Sequence, residues 1–273
     1  MLISLKNKYK ISILTWNSLG IIGVYLLFWL NSSLIITAFS NYEGALQVVL
    51  VISIRIIVLS IITAYLLNKW FKQEAQYLSD IPFLLSMFFL ILIFGKAVDL
   101  FWNLTYFTFN DTIVLLLLKA RYFIIICEVT PLVYLGFEII FFRLEDKFTK
   151  LRDKKYMNNL RARLIVLIFT VETIVVFSIP DVTMLGRTLP VILIPSLLGI
   201  VYIFYLAYRL NRLTVVKPKI LTIGFLLYMI SNIFRPLMQS ILGETSTYII
   251  VVEIVDLLIF VLIFFGLYKK DSK

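Results

Sequence analysis

The chain has 273 residues, of which 61% are hydrophobic and 15% are charged, and its mean hydropathy is +0.99. A soluble domain averages roughly half apolar and about a quarter charged residues, so this composition excludes a water-soluble globular protein and indicates that lipid surrounds most of the chain. A formal charge of +10 would suggest nucleic acid as a partner of a soluble protein. Here the positions of the cations favour a membrane topology, and no nucleic-acid partner is expected.

Eight segments have the roughly 20 apolar residues that a helix needs to cross a bilayer. In chain order they are 11–31, 45–67, 81–102, 113–142, 162–179, 190–210, 220–242 and 247–268. Alternating ten-residue barrel strands are not seen, so helices are the structure expected in lipid. The first segment follows a basic start but is too long for a signal peptide, so it is interpreted as a span that stays in place. The sequence therefore predicts an all-α, polytopic bundle of about eight spans, forming one transmembrane domain over residues 1–273.

The cations predict that both ends of the chain lie in the cytoplasm. With the N-terminus inside, inner segments hold 20 of the 26 Lys and Arg residues and outer loops hold only Arg187, while five lie within spans. This asymmetry follows the positive-inside rule, and an even number of spans agrees with basic segments at both ends. The predicted location is therefore the cell membrane, with the chain crossing it several times.

The longest basic segment, from Arg143 to Arg163, holds eight of these cations. It is interpreted either as a surface that binds anionic lipid headgroups or as a solvated helical extension of the fourth span. At the inner end of the second span, Trp70 and Phe71 are typical of residues at a membrane interface.

Several classes of chemistry have no residues to support them. The chain has no histidine and one cysteine, Cys127, so His triads, His metal sites, an internal disulfide and CxxC redox pairs are excluded. Gly-rich phosphate loops and the HExxH and GxSxG motifs are also absent. A non-enzymatic protein without a cofactor or metal is expected.

Ionisable groups within the spans are the main candidates for function, because a charge at bilayer depth costs about 2.5–3.5 kcal/mol on insertion scales. Five are cationic and five anionic: Arg55, Lys96, Lys119, Arg121, Arg235, Asp99, Glu128, Glu172, Glu253 and Asp256. The predicted orientation places most of them in the outer half of the bundle. Arg55 and Glu172 stand apart from the others, and Glu172 lies past the middle of the fifth span.

Helical spacing brings several of these charges onto shared faces. Lys96 and Asp99 are three residues apart, as are Glu253 and Asp256. These faces predict a polar cavity open to the outside, in which Arg235 anchors an anion and the two acidic residues of the eighth span act as counter-charges or as a cation site. The full candidate ligand-binding set is Lys96, Asp99, Lys119, Arg121, Glu128, Arg235, Glu253 and Asp256. The alternative is that these pairs only tie helices together.

Part of the fourth span resembles a known family. The residues Lys119-Ala-Arg-Tyr122, followed by Pro131-Leu-Val-Tyr134-Leu-Gly-Phe137, resemble the third helix of the seven-helix N-terminal membrane sensor module of prokaryotic histidine kinases. The chain departs from the family in an extra N-terminal span and in the short segment, Tyr268 to Lys273, that follows the last helix. The resemblance implies a sensing bundle whose output passes to another membrane protein, with Lys119, Tyr122 and Pro131 as family-like positions.

These patterns together predict a receptor-like or sensory bundle with an outward-facing polar cavity and no output domain of its own. A transporter or channel subunit for a small solute or ion is the alternative. The expected partners are the lipid bilayer and a second membrane protein, and the ligand is not specified by the sequence.

Overall fold

The computed structural model describes residues 2–105, 108–209, 216–243 and 245–268, with the backbone alone at 2–8, 189–190, 192–193, 236–237 and 239–240. In these ranges the chain consists of helices and their connectors, with no strand, so the all-α prediction is confirmed. A 3₁₀ helix, Thr149–Arg152, lies between the fifth and sixth of nine described α-helices. These are α1 Leu2–Leu30, α2 Ser32–Asn41, α3 Ala45–Phe71, α4 Ile81–Thr105, α5 Asp111–Leu144, α6 Lys154–Ser178, α7 Val182–Arg209, α8 Pro218–Leu242 and α9 Ser246–Leu267.

Five segments of the described helices are long and apolar enough to cross a membrane. They are Tyr9–Leu30, Ala45–Phe71, Ile81–Thr105, Asp111–Leu144 and Ser246–Leu267. Helices of this kind satisfy every backbone hydrogen bond internally, which hydrocarbon requires. The other three predicted spans coincide with α6, α7 and α8. The chain thus has the helices of a membrane protein, while the eight-span topology stays a prediction.

The chain divides into two compact units, Met1–Ile124 and Ile125–Lys273, and the division falls inside α5. The first unit is built on α3 and α4, which pack against each other and carry fully buried apolar side chains such as Leu59 and Phe88. Helix α1 packs on α4, where the rings of Phe28 and Phe101 lie 5.6 Å apart, centroid to centroid. These contacts hold α4, and with it Lys96 and Asp99, in a fixed rotation within the unit.

Two features of the first unit differ from expectation. A short helix, α2, follows the first predicted span. Gly44, whose φ of 84° suits a residue without a Cβ, then precedes α3, which starts at Ala45 as the second predicted span does. Trp70 was predicted to lie at the membrane interface, but its side chain is fully buried. Its indole Nε1 donates to the backbone oxygen of Tyr77 and to Asp80 Oδ2, both at 3.1 Å. A buried indole N–H needs an acceptor, and here the connector between α3 and α4 supplies it. The hydrogen bonds of Trp70 therefore stabilise this connector.

The second unit contains a close hairpin of α8 and α9. A Cβ added to Gly266 would lie 2.7 Å from Leu221 Cδ2 and 3.2 Å from the backbone nitrogen of Leu221, and one added to Gly224 would lie 2.6 Å from Ile263 Cγ1. Small residues at such positions let helix backbones approach closely, which is how helices commonly pack in lipid. Helix α7 packs on the other side of α8, where the rings of Phe204 and Phe225 stack at 5.0 Å.

The long basic segment is not an extension of the fourth span. Helix α5 ends at Leu144, and a new helix, α6, starts at Lys154 after the 3₁₀ turn. Asp153 caps α6 by accepting a hydrogen bond from the backbone N–H of Lys155 at 2.9 Å. This cap satisfies one of the free donors of the first turn, so the chain breaks and restarts here instead of continuing as one helix.

Candidate functional site

Three of the predicted site residues form one ion-pair cluster in the first unit, here named the Asp99 cluster. Lys96 Nζ lies 2.7 Å from Asp99 Oδ2, and Arg121 Nε lies 2.5 Å from Asp99 Oδ1. The Lys96 and Asp99 side chains are only 5% and 10% exposed, whereas that of Arg121 is 28% exposed. One carboxylate thus lies between two cations, and the more exposed cation belongs to a different helix.

The local sequence accounts for half of this arrangement. Lys96 and Asp99 are three residues apart on α4, so their side chains share a face. Arg121 lies on a different helix, α5, and its side chain contacts the same Asp99 carboxylate of α4. Lys119, two residues before Arg121 on α5, is half-buried.

Two further predicted residues meet in the second unit, in what is here named the Asp256 cluster. The Arg235 guanidinium forms an ion pair with Asp256 Oδ2 through its Nη2. Ser231 donates its hydroxyl hydrogen to Asp256 Oδ1 at 2.8 Å, and Tyr248 donates its phenolic hydrogen to the backbone oxygen of Arg235 at 3.1 Å. Asp256 is fully buried, and both of its carboxylate oxygens therefore have a partner.

The α8–α9 hairpin creates this cluster. Gly243 adopts a φ of 67°, a left-handed conformation that ends α8, and Thr245 caps α9 by accepting from the backbone N–H of Tyr248 at 3.3 Å. The connection is so short that α9 must return beside α8. Ser231 and Arg235 are four residues apart on α8, so both face α9 and hold the same carboxylate.

The remaining predicted residues of the second unit are also buried. Glu253 is one turn before Asp256 on α9, and Glu128 is in the middle of α5. Burial of carboxylates in apolar surroundings costs several kcal/mol unless charge or hydrogen bonds compensate it. Four acidic and basic predicted residues thus belong to each unit: Lys96, Asp99, Lys119 and Arg121 to the first, and Glu128, Arg235, Glu253 and Asp256 to the second.

Each cluster links its helices, and ligand binding at either one would require a ligand to replace one partner of an ion pair. A carboxylate held by an arginine in a low-dielectric site is strongly bound, because few competing waters are present. An anionic ligand with better geometry would compete with Asp256 for the Arg235 guanidinium. A purely structural tie predicts no such exchange, so ligand binding separates the two interpretations.

Sequence reasoning missed three residues, two in the Asp256 cluster and one in a separate network between α5 and α6. Ser231 and Tyr248 belong to the Asp256 cluster, and the four-residue spacing of Ser231 from Arg235 is a signal that would have found the first of them. Arg161, counted among the inner cations, is 5% exposed. Its Nη1 lies 3.2 Å from Glu138 Oε2 and its Nη2 donates to Asn158 Oδ1 at 2.7 Å. No spacing in the sequence indicated this burial.

Comparison with known proteins adds no family assignment, since the chain matches no protein-family model, no curated protein and no solved structure.

Proposed function

We propose that this chain is a multi-pass protein of the cell membrane that acts as a receptor-like or sensory bundle. In this proposal eight spans cross the bilayer, both ends lie in the cytoplasm, and the predicted site residues line an outward-facing polar cavity. The resemblance of the fourth span to histidine-kinase sensor modules supports a sensory role whose output passes to another membrane protein.

The observation that carries the proposal is the Asp256 cluster. A fully buried carboxylate, an arginine and a serine hydroxyl meet between α8 and α9, at positions that the predicted topology puts in the outer half of the membrane. Charged groups at bilayer depth are costly and commonly mark ligand or ion sites. Arg235 is still 19% exposed, so its guanidinium is not fully enclosed by the two helices.

A transporter or channel subunit is the second candidate, because buried charges on several spans also mark ion and solute pathways. Two features favour the sensor. The predicted depth of the charges is biased to the outer half, whereas transporter sites usually lie near the midplane. The two halves of the sequence also show no internal repeat of the kind that many transporters have.

Ligand-induced stabilisation tests the proposal. The purified protein is heated in detergent with a panel of small anions, cations, amino acids and lipids, and its unfolding temperature is recorded. A compound present at about 100 times its dissociation constant adds roughly 2.7 kcal/mol to the folded state. We expect at least one compound to raise the unfolding temperature of the wild type and to fail with a variant whose Asp256 cluster carries no charge.

The double variant Arg235→Met with Asp256→Leu removes both charges without leaving either one buried alone. Arg187→Ala is the matched control, since Arg187 is an exposed cation in a predicted outer loop. Stabilisation in the wild type and in Arg187→Ala but not in the double variant supports a ligand site at the cluster. If the double variant responds equally, the cluster is a structural tie. A flux assay in liposomes with the identified compound then separates a receptor from a transporter.

A further inference from the structure

A small cavity in the second unit contains a carboxyl group that belongs to neither cluster. It lies among α5, α6 and α7, and its volume is about 10 Å³. Apolar side chains such as Val129, Ile168 and Phe169 form most of its wall, and Glu172 of α6 lines it. The hydroxyl side chains of Thr130 and Ser196 also line the cavity.

Glu172 lacks a charged partner within the described part of the chain. It forms no ion pair and no hydrogen bond there, although it is half-buried. Among the described side chains that line the cavity, Glu172 is the only titratable one. An ionised carboxylate in such surroundings costs several kcal/mol, and a buried acidic group avoids this cost by taking up a proton.

The size of the cavity limits what it can hold. A volume of roughly 10–15 Å³ is the least that accommodates one water molecule, so the cavity excludes any organic ligand. The Thr130 hydroxyl donates its hydrogen to the backbone oxygen of Ile126 at 2.8 Å. Its oxygen keeps acceptor capacity in the wall of the cavity that Glu172 also lines, which suits a carboxyl group that carries a proton and can donate.

We propose that Glu172 with Thr130 and Ser196 forms a proton-binding site inside the membrane. Water supplies the proton to the Glu172 carboxylate, and the resulting carboxyl group donates a hydrogen bond to one of the two hydroxyl oxygens of the cavity. Ionisation puts a negative charge against the apolar wall and draws water in, which loosens the packing of α6 on α5 and α7. The depth of this site depends on the topology proposed above, but its chemistry is independent of any ligand at the Asp256 cluster.

The first test uses dicyclohexylcarbodiimide, an apolar reagent that adds to protonated carboxyl groups, on the full chain in liposomes. Mass spectrometry of the peptides locates the adduct. We expect an adduct on Glu172 that is lost as the pH rises and absent from Glu172→Gln. Exposed Glu74, on the connector between α3 and α4, is the internal control and should stay unmodified. Absence of an adduct on Glu172 at every pH overturns the proposal, as does suppression by Na⁺ at constant pH, which would indicate a sodium site.

The second test measures the unfolding temperature of the wild type, Glu172→Gln and the control Glu74→Gln as a function of pH. If the folded state binds the proton more tightly than the unfolded state, stability falls as the pH rises. Glutamine imitates the protonated carboxyl group, so the wild type should lose stability relative to Glu172→Gln in alkaline buffer and match it in acid. A difference that does not change with pH overturns the proposal. Neither result bears on ligand binding at Arg235, so the two proposals fail separately.

Discussion

The guanidinium of Arg161 lies over the aromatic ring of Tyr134, with its Cζ 4.0 Å from the ring centroid. Tyr134 and Glu138 are four residues apart on α5, so one face of that helix offers both a π-surface and a carboxylate to the same cation. Arg161 thereby joins α6 to α5 just after the break in the basic segment. A cation over a ring gains about 2 kcal/mol or more when water is excluded from the contact.

Replacing Arg161 with alanine should therefore lower stability by about 2 kcal/mol, mainly through loss of the contact with the ring. Arg152→Ala is the matched control from the same basic segment. Arg152 is 64% exposed, and its guanidinium makes a long contact of 4.0 Å with the exposed carboxylate of Asp146. Removal of the Arg152 side chain should therefore change stability by no more than about 0.5 kcal/mol. Thermal unfolding in detergent measures both. Equal losses of stability in the two variants would show that the Arg161 contacts add no more stability than an exposed cation does.

The Asp256 cluster predicts non-additive substitutions. Removing one member of a buried ion pair costs about 3–5 kcal/mol because the other charge stays buried alone, whereas replacing both with apolar residues is often neutral. Arg235→Ala and Asp256→Ala should each lower the unfolding temperature strongly. The double variant Arg235→Met with Asp256→Leu should lie closer to the wild type than either single variant. Additive losses in this cycle would mean that the two side chains do not interact energetically.

The different surroundings of two helical glycines predict opposite effects when each is replaced by alanine. Gly266→Ala places a methyl group 3.2 Å from the backbone nitrogen of Leu221, which cannot move without shifting α8. Such overpacking costs typically about 1–3 kcal/mol. Gly199 of α7 has open space around its missing side chain, so Gly199→Ala should be neutral or stabilising by up to about 1 kcal/mol through helix propensity. Unfolding temperatures of the two variants provide the comparison, and destabilisation by both would contradict the packing at Leu221.

The proposed topology predicts which residues an impermeant maleimide can reach. In a Cys127→Ser background, Thr183→Cys lies in a predicted outer loop and Lys147→Cys in the predicted inner basic segment, and both positions are exposed. Intact cells should label Thr183→Cys only, and permeabilised cells should label both. The reverse pattern would invert the orientation, and labelling of both in intact cells would place the two segments on the same outer side.

Local chemistry determined the helices. Every predicted span coincides with a helix because long apolar segments must satisfy their backbone hydrogen bonds internally in lipid, and this depends on composition and length alone. The pairing of Lys96 with Asp99 was equally accessible, since a spacing of three residues on one helix brings two side chains to one face. The break at Asp153 was not foreseen, although an aspartate before a helix is a recognised cap.

Tertiary structure decided which distant groups meet. Arg121 reaches Asp99, and Arg235 pairs with Asp256, because of the rotation of each helix and the choice of its neighbours. The same dependence makes Trp70 a buried anchor and not an interface residue, and it puts Arg161 over Tyr134. A sequence reports which charges a helix carries and on which face, but the free energy that selects their partners comes from packing between helices, which only the assembled fold contains.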